Sequence, residues 1–132
     1  MKPLRLAAIQ RPPTTGLSPS RSQQPVYAMI YEERDYRIKF GKLSEFLQLY
    51  GDHGLPIQKE HLGNLVAYFT SEIGELNHIV AIWSYESFED RAARRKNMLA
   101  DQRWHEYLKC VDGFIDVQAT RILSPVSFSP LQ

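Results

Sequence analysis

Glu32, Arg34 and Tyr36 stand at alternate positions of one short stretch, and they are the first group in the chain with chemistry in it. In an extended chain, side chains two apart point the same way, so a carboxylate, a guanidinium and a phenol would share one strand face. Such a set can pair internally, as buried charges must, with Arg121 on the last strand or with helix residues. Alternatively, Arg34 can orient an anionic molecule while Tyr36 donates a proton to it. His61 is then the candidate base, because histidine titrates near neutrality. Both readings stay open on the sequence.

Little else has the spacing of a reaction centre. His53 and His61 are separated by a glycine- and proline-bearing loop, while His78 and His105 fall on different elements, so no metal site is expected. There is no nucleophile elbow, phosphate loop or dinucleotide fingerprint, and no cofactor is expected. Trp83, Trp104, Tyr68 and Tyr85 read first as core or interface. Tyr68 and Trp83, with Glu32, Arg34, Tyr36 and Arg121, are carried forward as candidate ligand contacts. Arg91, Arg94, Arg95 and Lys96 read as the wet side of a helix, and Cys110 as a small, partly buried helix residue.

The elements that must hold these residues follow from pattern. Val26 to Ile38 alternates as a strand whose faces are both mixed. Leu43, Phe46, Leu47 and Tyr50 recur at helical spacing, predicting a helix from Lys42 to about His53 that ends at Gly51, Gly54 and Pro56. Leu55 to Leu62 then reads as a connection. Leu65–Phe69 and Ile79–Trp83 are apolar, β-branched and aromatic runs flanking Gly74, a hairpin with a loop longer than two residues. Ser87 followed by Glu89 and Asp90 signals a helix start, and that helix runs to Leu99. Asp101 can cap a further segment in which Trp104, Tyr107, Leu108 and Val111 keep the helical period up to Gly113. A last strand spans Ile115 to Leu123.

The order β-α-β-β-α-β, with right-handed crossovers, gives an α+β ferredoxin-like fold: a four-stranded antiparallel sheet with helices on one face. The other face is left open. Pairing two sheets face to face would cover it, and burying several large side chains at about 1.5–3 kcal/mol each would hold such a homodimer.

At 132 residues, with 43% hydrophobic and 23% charged content, the chain is one domain with an ordinary core and no membrane span. One cysteine excludes an internal disulfide and fits a reducing, cytoplasmic setting. Residues 1–24 hold Lys2, Arg5, Arg11 and Arg21 and no acid; the remainder has 12 basic against 15 acidic residues. A slightly acidic domain is a poor binder of phosphate backbones, so nucleic acid is not an expected partner. Residues 1–25, rich in proline, serine and threonine, read as a disordered extension preceding a domain of residues 26–132. A basic mitochondrial transit peptide is the alternative, and Met29 is an alternative start.

The domain resembles the NIPSNAP family. The resemblance is carried by MIYEERDYRIKFGKLSEFLQLY from Met29, GLPIQ at Gly54–Gln58, HLGNLVAYFTSEIGELN at His61–Asn77, IWSYESFEDRAARR at Ile82–Arg95 and RILSPVSFSP at Arg121–Pro130. It implies the dimeric α/β-barrel form of the ferredoxin-like fold, with Glu32, Arg34 and Tyr36 matching a Glu-x-Arg-x-Tyr pattern. Ala67 departs from a glycine frequent in the family, and Ala81 from a histidine, which weakens any metal or haem role at that strand. The resemblance brings no settled reaction. It implies a homodimeric binding module for a protein partner or for a small hydrophobic or anionic molecule. The alternative is a small cofactor-independent oxygenase or isomerase of the same barrel type.

Overall fold

Strand β1, Ile30–Ile38, alternates a buried series with a more open one, and this parity decides where the charged residues go. Ile30 and Ile38 are buried at its ends, and Glu32 between them is buried completely. A computed structural model describes residues 29–132; the disorder expected of residues 1–25 and the strand start expected at Val26 lie outside these.

The chain order is β1, α1 (Leu43–Leu49), a π-helical turn (Tyr50–Gly54), α2 (Leu55–Leu62), β2 (Asn64–Thr70), β3 (His78–Tyr85), α3 (Phe88–Leu99), α4 (Gln102–Cys110) and β4 (Ile115–Leu123). The four strands form one antiparallel sheet in the order β2-β3-β1-β4. That is the ferredoxin-like arrangement expected from the element order. The core lies between one sheet face and the helices, with Ile79, Ala81, Trp83 and Tyr85 of β3 almost without exposure.

The expected connection at Leu55–Leu62 is a helix. In an uninterrupted α-helix Pro56 would lack a donor and crowd the carbonyl four residues back. The π turn removes that conflict: the Leu55 N–H donates to the Tyr50 carbonyl, five residues earlier, and Pro56 falls in the first turn of α2. The inward side of α2 is Ile57, Gln58 and Leu62, half-concealed from a hydrophobicity count by the buried glutamine.

The two later helices begin at their expected caps. Ser87 Oγ accepts from the Asp90 N–H at 3.0 Å, and Asp101 Oδ1 accepts from the Arg103 N–H at 2.9 Å. Between β2 and β3 the chain reverses through Gly74 and Asn77, both at positive φ. Cys110 is exposed rather than partly buried, because Trp104, Tyr107 and Val111 take the inward side of α4 and its end.

The opposite sheet face carries Phe69 of β2 (58% exposed), Val117 of β4 (50% exposed) and, between them, Val80 and Ile82 of β3. Glu33, Asp35 and Arg37 of β1 share that face. Among the described residues no helix is long and apolar enough to cross a membrane.

Candidate functional site

A fully buried carboxylate is tolerable only with close, hydrogen-bonded cations. Glu32 has three. Arg34 Nη1 lies 3.2 Å from Glu32 Oε1, Arg91 of α3 donates through Nε to Oε2, and Arg95 Nη1 stands 3.9 Å from Oε1. Arg91 and Arg95 are therefore not the wet side of α3. They are spaced four apart, and with buried Met98 they form an inward stripe at i, i+4 and i+7. That spacing was the available signal.

Arg34 is also tied to Tyr36, its Nε donating to the phenolic oxygen at 2.6 Å. Burial works against the Arg34 charge, but its contacts with Tyr36 and Glu32 outweigh this and raise its pKa, so it is permanently cationic. The Tyr36 oxygen acts as acceptor towards Arg34, which leaves its proton available to another group.

Arg34 and Tyr36 open onto a cavity of about 130 Å³ between the sheet and the helices. The sheet contributes Tyr68, Ala81 and Trp83 to its wall; the helices and π turn contribute Tyr50, Gln58, Arg95, Met98, Trp104 and Tyr107. The exposed residues Leu108 and Gln118 also border it, so it reaches solvent beside α4 and β4. Aromatic rings pack into its lining: Tyr50 stacks on Tyr68 at 4.9 Å, and Trp104 lies 5.1 Å from Tyr107.

The polar atoms of this wall are unequally satisfied. The Tyr50 hydroxyl donates to Gln58 Oε1 at 2.5 Å. The Tyr68 hydroxyl is buried and has no hydrogen-bond partner among the described residues. Burial, with neighbouring phenols adding to it, pushes Tyr50, Tyr68 and Tyr107 well above the usual phenol range. They remain neutral donors at any physiological pH.

The structure thus brings together Glu32, Arg34, Tyr36, Tyr68 and Trp83. It does not bring Arg121 or His61 to them. Arg121 pairs in register with Glu33, on the opposite sheet face, where its Nη2 lies 3.2 Å from Asp35 Oδ2 and its Nε 3.7 Å from Glu33. His61 sits at the end of α2 with Nε2 2.8 Å from Asp101 Oδ2, outside the cavity lining. Among the described residues no three His, Cys, Asp or Glu side chains are grouped as a metal site. Tyr50, Gln58, Tyr107, Arg95 and Arg91 are the residues that strand parity could not supply, since they come from separate helices.

The NIPSNAP family model matches residues 31–130. A crystal structure of a NIPSNAP family protein with unknown function from Agrobacterium tumefaciens is 46% identical and superposes with a TM-score of 0.78, covering 80% of this chain and 96% of that one. Protein NipSnap of Drosophila melanogaster is 31% identical over 105 residues, 78% of this chain; the match spans only 37% of the Drosophila protein. A Nitrosomonas europaea protein described as an antibiotic biosynthesis monooxygenase superposes with a TM-score of 0.58 at 13% identity, covering 76% of this chain and 93% of that one. At that identity the likeness is one of fold alone.

Proposed function

The chain belongs to the NIPSNAP family, and from that premise we propose that it is a homodimeric binding domain holding a small molecule between sheet and helices. One observation carries the binding role: a solvent-connected cavity of about 130 Å³ lined by aromatic rings, with Arg34 and Tyr36 in its wall. Concave, mostly apolar sites with a few converging polar groups are where small molecules are held. A network serving only the fold would pack against its own side chains; this one keeps space beside it.

The dimer is supported by the open sheet face. Phe69 and Val117 flank Val80 and Ile82 there, and two such faces would cover one another. Sedimentation at micromolar concentration tests it, with a clean monomer counting against it. Phe69→Glu should shift a dimer towards monomer, because it places a charge in the apolar contact.

The binding role is tested by thermal shift across a small-molecule panel on the wild type and on Ala81→Leu. Ala81 is buried in the cavity wall, so the larger side chain occupies the ligand space. A ligand that stabilises the wild type and not Ala81→Leu is the expected result. Equal shifts in both proteins place binding elsewhere. A second reading, a cofactor-independent oxygenase or isomerase, draws on the Arg34–Tyr36 hydrogen bond, which frees the Tyr36 proton for a bound substrate. Under it, Tyr36→Phe abolishes turnover while leaving ligand affinity within about twofold.

A further inference from the structure

Resting on the binding role proposed above, we infer that the cavity takes a single-ring aromatic or comparably flat apolar carboxylate, anchored at Arg95 and Arg34. The first reason is charge. Three guanidinium groups surround the single carboxylate of Glu32, leaving a local excess of two positive charges. Arg91 is committed to Glu32. Arg95, at 3.9 Å, is beyond hydrogen-bond reach of it and donates no hydrogen bond among the described residues. Arg34 uses Nε on Tyr36 and Nη1 on Glu32, while its Nη2 has no partner among the described residues. Both Arg34 and Arg95 border the cavity.

The remaining lining is apolar side chains, glutamines and phenols, with no Asp or Glu, so among the lining residues no anion balances the arginines. A bound carboxylate would do so, and the planar fork of guanidinium suits it. The second reason is size. A cavity of about 130 Å³ is close to the apolar cavity of about 150 Å³ that takes benzene. It therefore has room for one ring rather than a fused ring system, with the carboxylate lying at the bordering arginines. The third is the wall. Trp83, Trp104, Tyr50 and Tyr68 line it with aromatic rings, and the unpartnered Tyr68 hydroxyl lacks an acceptor that an oxygen on the ligand ring would supply.

Both tryptophans of the chain border the cavity, so intrinsic fluorescence reports on it directly. The full chain is titrated with benzoate, 4-hydroxybenzoate, benzyl alcohol and acetate. Saturable changes are expected for the two aromatic acids, with benzyl alcohol at least about tenfold weaker and acetate without effect. Arg95→Gln should weaken benzoate roughly ten- to hundredfold, as loss of a charge-assisted hydrogen bond does, and leave benzyl alcohol within twofold. Arg95→Lys should recover part of the loss, and circular dichroism of both variants verifies the fold. If benzyl alcohol binds as well as benzoate, or Arg95→Gln leaves benzoate unchanged, the anion assignment falls while the binding role stands. Silence towards all four probes overturns the assignment of ligand class. The binding role is then decided separately, by whether the protein from its own host retains any small molecule.

Discussion

Arg91 of α3 reaches the carboxylate of Glu32, a residue of β1 with no solvent exposure at all. This pair joins the helix layer to the centre of the sheet. It also accounts for a charged residue at the middle of the inner strand face, where the neighbours two positions from an isoleucine would ordinarily be apolar. Arg34 and Arg95 share the same carboxylate, so one anion organises three cations, two of which face the cavity.

Removing that anion should be severe. Glu32→Gln leaves the guanidinium groups without a counter-charge and is expected to destabilise the fold by about 3–5 kcal/mol, the range for breaking a buried ion pair from one side. Chemical denaturation measures it. A loss below about 1 kcal/mol would mean that solvent or another group already compensates the arginines.

Gly54 matters through space rather than backbone strain, since its φ of −78° suits any residue. A Cβ there would stand 2.6 Å from Tyr107 Cζ, whereas one at Gly51 would meet nothing within 4 Å. Gly54→Ala should therefore cost about 1–3 kcal/mol by overpacking, and Gly51→Ala should be neutral or slightly stabilising. Equal effects of the two, compared by thermal unfolding, would contradict the packing of Tyr107 against the π turn.

Acid should act at the junction of α2 and α4. Hydrogen bonds from Arg103 and from His61 hold Asp101 well below the ordinary carboxylate value. A lowered folded pKa contributes stability that is present above the unfolded value of about 3.8 and lost as pH falls through the folded one. Asp101→Asn retains a cap-forming side chain but not the charge. The stability gap between wild type and this variant should be widest at neutral pH and close on acidification. A gap independent of pH would remove the charge from the explanation.

Base should act through the buried phenols. Burial, reinforced by the Glu32 charge, pushes Tyr85 up to about 12, and Tyr50, Tyr68 and Tyr107 are raised by burial as well. Raised folded values contribute stability present below the unfolded value of about 10 and lost as pH climbs towards the folded ones. Phenolate absorbance from these four should thus appear only together with loss of near-ultraviolet dichroism. Ionisation of Tyr50, Tyr68 and Tyr107 near pH 10 in an intact fold would show that the cavity wall is wet.

Much of this was legible in the residues. The Ser87 and Asp101 caps, the glycine-bearing hairpin and the span Ile115–Leu123 follow from local chemistry that the fold leaves undisturbed. So does the shared face of Glu32, Arg34 and Tyr36, because strand parity is fixed by geometry. Helix α2 was concealed because Gly54 and Pro56 ordinarily end a helix, and only a change to five-residue hydrogen bonding carries the chain past them. Arg121 was out of reach for a different reason. Which side of β4 faces inward depends on its register with β1, and that register shifts between Arg37 and Ile38. The cavity itself is a tertiary object: Tyr50 and Tyr107 meet across separate helices, their ring centroids 6.3 Å apart.

The central claim, that the space beside Arg34 and Tyr36 exists to hold a small molecule, is met most directly by native mass spectrometry of the protein purified from its own host. A retained species small enough for a cavity of about 130 Å³, released on denaturation and absent from Ala81→Leu prepared identically, is the predicted result. A wild-type mass equal to the bare polypeptide or its dimer, unchanged by adding host small-molecule extract, would contradict it.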